Sequence, residues 1–248
     1  MYRYKRLMVG LNLSDQDEAT IRYAAMISRI ARAARIHFVH IVPRLKIPMS
    51  IRLRYPNLFR PVMNQMEKVI RQHWDGRKDV ALAYDVIEGT PLTELTYWSS
   101  IHAIDLILVG NRQEQRKSGV LPEKLALDAP CSVLIVPEGT KPKLTKTLVM
   151  TACSKFPASD PAAALRKIAQ EQRADLLVID ARKINDSTAV LFGTVVKRLI
   201  RTIERPLLVL KNGDMDAPVL ETALEWEGEA WEAFPADATE ITPRSLAA

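Results

Sequence analysis

The feature that most restricts the fold of this 248-residue chain is a strand-and-helix pattern that runs once in full and then restarts in shortened form. Leu7-Met8-Val9 is answered by Leu148-Val149-Met150, and Asp105-Leu-Ile-Leu-Val109 by Asp175-Leu-Leu-Val-Ile179. Arg112 is answered by Arg182 and Gly119 by Gly193, each glycine expected to open a helix that leads to a last strand. Self-similarity of this kind marks an internal repeat. The repeat is incomplete: 93 positions separate Asn12 from Asp105, but only 22 separate Cys153 from Asp175, so 71 residues are missing and one helix, Pro161 to Arg173, stands for the whole middle.

Periodicity fills in the elements. Lys5 to Leu11, Ile36 to Val42, Asp79 to Ile87, Asp105 to Gly110 and Ser132 to Val136 read as strands, and Lys146 to Ala152 echoes the first of them. Between them lie apolar residues at helical spacing over Asp15 to Ala34, with Ser14 as N-cap, then a helix opened by Pro61, and helices over Pro91 to Ile101 and Val120 to Asp128. Strands alternating with helices at this pitch predict parallel strands joined by crossover helices. The expected architecture is therefore α/β: a five-stranded parallel open sheet over residues 1–140, a truncated α/β half repeat over 145–212, and an acidic tail over 213–248. Pro137 to Lys143 is the linker. In the tail, Leu220, Leu224, Trp231 and Phe234 recur at spacings of four, seven and three, which predicts an amphipathic helix able to cover strands of the half repeat.

Charge is split along the chain. From Gly213 onward nine acidic residues face one basic residue, Arg244, a net −8, which leaves +14 on residues 1–212 out of a total of +6. A basic body with an acidic tail raises nucleic acid as a partner. No basic stretch is interleaved with aromatics, so nucleic-acid binding is not the expected role. With 48% hydrophobic residues the chain can bury a core and is not disordered throughout. No apolar run approaches the ~20 residues a membrane-crossing helix needs, and no signal peptide is read at the N-terminus. Cys131 and Cys153 are too few for a disulfide framework, which fits a reduced, cytoplasmic setting.

Several stretches carry a family resemblance: Lys5 to Asp15, His40-Ile41-Val42, Glu88-Gly89-Thr90-Pro91, Asp105 to Arg112, and Gly119 through Ala129-Pro130-Cys131 to Val136. In this order and spacing they resemble a tandem universal stress protein, with one complete unit and a degenerate second one. The resemblance implies a Rossmann-like five-stranded sheet, a homodimer paired through its last strands, and nucleotide contacts at Asn12, Val42, Gly110, Arg112 and Gly119. Nucleotide-binding members carry an Asp after the first strand and a G-x2-G-x9-G-[ST] loop after the fourth. Glycines let backbone N–H groups approach phosphates, and a helix N-terminus adds positive potential. Here Asn12 replaces the Asp, the middle glycine has no counterpart, Gly110 and Gly119 are nine positions apart instead of thirteen, and Val120 stands where Ser or Thr belongs. The second unit keeps the spacing from Asp180 to Gly193 and the pair Gly193-Thr194, but Asp180 and Lys183 replace the earlier glycines and Cys153 takes the Asp position. An Asp beside a triphosphate repels it.

No other chemistry is legible. His37 and His40 point to opposite faces of a strand and cannot share a metal; His40 is read as a packed core residue, and His73 and His102 as helix-surface residues. Asp15, Asp17 and Glu18 compensate the dipole of the first helix, and Cys131 is an inert apolar filler. For the loop from Arg44 to Arg60, with cations Arg44, Lys46, Arg52, Arg54 and Arg60 among Ile47, Met49, Ile51, Leu53 and Tyr55, the family resemblance implies a roof over the crevice at the sheet's C-terminal edge; partner docking and capture of an anionic ligand are the alternatives. The expected role is a non-catalytic stress-response or regulatory binding protein acting through contacts with a protein partner, with no cofactor and no metal. The alternatives are an ATP- or AMP-binding switch with slow hydrolysis at most, and a nucleic-acid-binding protein.

Overall fold

A computed structural model describes residues 4–15, 17–55, 57–112, 120–151, 160–182, 186–211 and 223–226. The first strand, β1 (Arg6–Leu11), is followed by α1 (Asp17–Ile30), β2 (Arg35–Val42), α2 (Met49–Arg54), α3 (Arg60–His73), β3 (Ala81–Glu88), α4 (Pro91–Ile101), β4 (Leu106–Asn111), α5 (Val120–Asp128) and β5 (Ser132–Pro137). The second half contributes β6 (Thr147–Thr151), α6 (Pro161–Glu171), β7 (Leu176–Asp180), α7 (Asp186–Thr202), β8 (Leu207–Leu210) and β9 (Ala223–Trp226). All the strands join one sheet in the order β3-β2-β1-β4-β5-β8-β7-β6-β9.

The strands of the first half are parallel, which is why they read as near-continuous apolar runs: helices cover both faces, so neither face is polar. From β1 the chain steps outward to β2 and β3 through α1 and α3, then returns across β1 to β4 and β5 through α4 and α5. A right-handed crossover changes face when the direction of travel reverses. Accordingly Ile21, Ala24, Ile27, Met66 and Ile70 of α1 and α3 pack on one face with Leu7, Val9, Phe38 and Leu108, whereas Leu95, Leu125 and Ala126 of α4 and α5 pack on the other with Met8, Ile107, Val133 and Ile135.

The two halves meet strand to strand. β5 and β8 pair antiparallel, with Val133 opposite Val209, Leu134 opposite Leu208 and Ile135 opposite Leu207. Polar contacts tie the flanks. Arg201 of α7 donates from Nε and Nη2 to both carboxylate oxygens of Glu123 on α5 (2.7 and 3.1 Å), Asn111 Nδ2 donates to the Ile200 carbonyl (2.7 Å), and Lys211 Nζ donates to the carbonyls of Leu127 and Ala129 (both 2.7 Å). Each half also fixes its entry strand with the Asp that opens the repeated segment. Asp105 Oδ2 accepts from the backbone N–H groups of Lys5 and Arg6, and Asp175 Oδ2 accepts from those of Thr145 and Lys146.

Four expectations need correction. Gly193 does not open a helix: it lies within α7, which begins seven residues earlier, because Val195, Val196, Leu199 and Ile200 extend an apolar stripe on which the glycine is tolerated. In the tail, residues 223–226 form a strand parallel to β6 rather than part of a helix; the edge of β6 offers unpaired backbone groups, and ladder bonding there outweighs the local helical period. Of that stripe, Leu220, Trp231 and Phe234 lie outside the described residues. Ser14 does not precede the helix directly; α1 starts at Asp17, and the Ser14 hydroxyl donates to Asn12 Oδ1 (2.6 Å). Finally, β5 and β8 are each other's neighbours, so a homodimer through the last strands would have to break that pairing.

Candidate functional site

At the C-terminal ends of β1, β2 and β4 lies a cleft of about 280 Å³, lined by residues that include Gly10, Asn12, Asp17, His40, Leu95 and Gly110. This is where the direction of travel through the sheet reverses, and open α/β sheets form crevices at that point. A Cβ on Gly10 would meet Val109 Cγ1 at 3.3 Å and Leu95 Cδ1 at 3.4 Å, so the glycine lets α4 close against β1 and shapes the cleft floor. Val39, Ile41, Pro91, Val109 and Leu121 make the walls predominantly apolar.

The polar groups of the cleft are turned mostly inward on their own loop. Asp17, 4% exposed, accepts from the backbone N–H groups of Asn12 (3.2 Å) and Leu13 (2.7 Å), and Asn12 Oδ1 accepts from the N–H of Ser14 (3.0 Å). Leu13 adopts φ +59°, a left-handed conformation stabilised by these bonds. Burial raises the Asp17 carboxyl above its ordinary value, while the hydrogen bonds from the loop backbone and nearby His40 pull it down. His40 Nδ1 lies 2.9 Å from the Leu11 carbonyl. A carbonyl only accepts, so Nδ1 is the donor in this contact. No Lys or Arg lines the cleft among the described residues.

Of the positions singled out in the sequence, Asn12 and Gly110 line this cleft. Val42 ends β2, where its carbonyl accepts from Gly89 N–H, and Arg112 is exposed just past β4; neither is in the lining. Gly119 and Cys153 lie outside the described residues. Among its described residues, the loop from Arg44 to Arg60 contributes none to the lining. Its centre is the short helix α2, and it is held at the neighbouring strand end by the Leu45 N–H donating to Glu88 and by Arg44 3.8 Å from Glu94. Asp17 is more than a dipole partner, since it organises the loop after β1. Asp180 in the second half is buried, and Arg182 Nε and Nη2 donate to its two oxygens (2.7 and 2.6 Å), so the charge expected to repel a phosphate is answered by its own neighbour.

The histidines were misplaced by sequence reasoning. His40 is half-buried at the cleft, while His37 is the buried one, its ring tilted against that of His102 (ring centroids 4.7 Å), which in turn stacks on Trp98 (4.9 Å). His73 is not at the surface either: its side chain is 18% exposed. The i, i+4 spacing of Trp98 and His102 was the available signal for one helix face. Cys131 is buried, and burial pushes its thiol up to about 11, so it is inert at neutral pH. Among the described residues no group of three or more His, Cys, Asp or Glu side chains could hold a metal ion, and no helix is long and apolar enough to cross a membrane.

The sequence model of the Universal stress protein family matches residues 3–137 and 158–211. No curated protein matches the chain. Among solved structures, a universal stress protein from Archaeoglobus fulgidus DSM 4304 is similar at TM-score 0.57 and 14% identity, covering 84% of this chain and 97% of that one. A functionally unknown protein from Pseudomonas aeruginosa PAO1 is similar at TM-score 0.58 and 13% identity, covering 84% and 92%. At these identities the likeness concerns the fold.

Proposed function

This chain belongs to the universal stress protein family, and from that premise we propose that it is a non-catalytic regulatory binding protein that acts through protein contacts. The observation that carries this reading is the chemistry of the cleft. Its backbone N–H groups at Asn12, Leu13 and Ser14 are consumed by Asp17 and Asn12, and among the described residues its one lining charge is a carboxylate and no Lys or Arg lines it. A polyphosphate needs converging N–H groups or cations. The sequence supports the same reading, since the loop after β4 is short, lacks the middle glycine and carries Val120 in place of a hydroxyl.

The second reading, an adenine-nucleotide switch, draws on the cleft itself. At about 280 Å³ it sits near the lower end of ligand pockets, roughly 300–1,000 Å³, with an apolar wall suited to a planar base and the His40 ring beside it. Titration calorimetry with ATP and magnesium separates the two. No tight binding is expected; low-micromolar affinity, or ATP found by mass on protein purified from cells and denatured, would overturn the first reading. Inserting a glycine-containing four-residue segment after Arg112 together with Val120→Ser should raise any residual affinity.

A further inference from the structure

The loop after β2 exposes apolar side chains that the fold does not use. Leu45, Ile51, Leu53 and Tyr55 are 45%, 44%, 72% and 57% exposed, and Arg44, Lys46 and Arg54 stand exposed among them. Four large apolar groups interleaved with cations on one surface loop match a partner that is acidic and carries aromatic residues. This chain contains such a segment. Residues 227–240 hold Glu227, Glu229, Glu232, Asp237 and Glu240 with Trp231 and Phe234, and no Lys or Arg.

The sheet decides whether the two meet within one molecule. β2 is the second strand in the order and β9 the ninth, seven spacings apart, about 34 Å at ~4.8 Å each. The gap between them is therefore about 34 Å in a straight line through the body, and longer around it. Trp231 is five residues past the end of β9 and Phe234 eight, so full extension carries them at most about 17 and 27 Å. Neither spans the distance from β9 to β2 of its own chain.

We propose that the loop from Arg44 to Tyr55 is a docking surface for residues 227–240 of a second copy of this chain. Trp231 and Phe234 cover Leu53, Ile51 and Tyr55, while the carboxylates face Arg44, Lys46 and Arg54. This goes beyond the reading above by naming one protein partner, and it stands whether or not the cleft holds a nucleotide.

Analytical ultracentrifugation of the full chain over two decades of concentration tests it. At about 0.05 M salt, dimers should grow with concentration, and at about 0.5 M the association should weaken at least about tenfold as the charges are screened. The double variants Leu53→Asp/Arg54→Glu and Trp231→Ser/Phe234→Ser should each weaken it by a similar factor while melting like the parent. Mixing the two variants should restore part of the association, because one intact loop then meets one intact tail. A chain that stays monomeric throughout at low salt overturns the proposal. So does association that survives both variants, or a monomer whose tryptophan emission shifts in the loop variant, which would place the contact within one molecule. ATP titration, which tests the cleft reading, is unaffected by any of these outcomes.

Discussion

Replacing Asp175 by Asn should cost the fold about 2 kcal/mol at neutral pH, and the cost should shrink in acid. Asp175 Oδ2 accepts from the N–H groups of Thr145 (3.0 Å) and Lys146 (3.1 Å) and from the Thr145 hydroxyl, and Lys143 Nζ is 3.1 Å from Oδ1. Burial works against ionisation here, but the hydrogen bonds from Thr145, Lys143 and Lys146 outweigh it and hold the carboxyl at about 2, against an ordinary 3.8. A depression of nearly two units corresponds to about 2 kcal/mol of preference for the ionised form in the folded state. The unfolded chain binds the proton first as pH falls, so this stability is complete above pH 3.8 and is lost as pH falls through about 2. Asn keeps the shape and one acceptor but not the charge. Urea denaturation at pH 7 should show the loss of about 2 kcal/mol, with a melting temperature about 4–8 °C lower for a chain of this size. At pH 3 the gap between parent and variant should fall to roughly half. Equal stability at pH 7, or a gap that stays constant from pH 7 to 3, would refute the assignment of this carboxylate as the clasp that fixes β6 to β7.

Two further outcomes follow from buried polar groups. His37, whose ring is held below its ordinary value by burial and then by His102, with Asp85 pulling the other way and Arg35 nearby, should lend stability that is full above pH 6.5 and fades as pH falls further; thermal melts from pH 8 to 5 should steepen accordingly, and His37→Leu should flatten that part of the profile. Arg201→Ala removes the guanidinium from a Glu123 that is 4% exposed and should lower the denaturation midpoint, and adding Glu123→Gln should recover part of the loss; unchanged midpoints would show that the pair does not fasten α5 to α7.

The sequence by itself determined the strands from β1 to β8 and most of the helices between them, because a parallel sheet covered on both faces leaves a local mark, the short unbroken apolar run, that needs no distant partner to be read; α2, the start of α7 and β9 were not legible this way. Pro91–Ile101 and Val120–Asp128 have the bounds read from periodicity, and the recurrence of Asp105 as Asp175 pointed to two carboxylates that do the same work at the start of β1 and β6. What only the folded structure decided depends on which groups the backbone brings into contact, near or far in the chain. Asp17 looked like a helix-dipole residue because spacing alone does not show that the loop after β1 turns back and presents the N–H groups of Asn12 and Leu13 to its carboxylate. His37 and His102, 65 positions apart, became ring-contact partners because β2 and the C-terminal end of α4 lie in adjacent layers. Residues 223–226 pair with β6 because a free edge supplies backbone partners to a segment whose own side-chain period suggested a helix. Local pattern reports which face of an element is buried; it carries no information on what lies against that face, and the cleft, the clasp between β6 and β7 and the occupied edge are all made of such encounters.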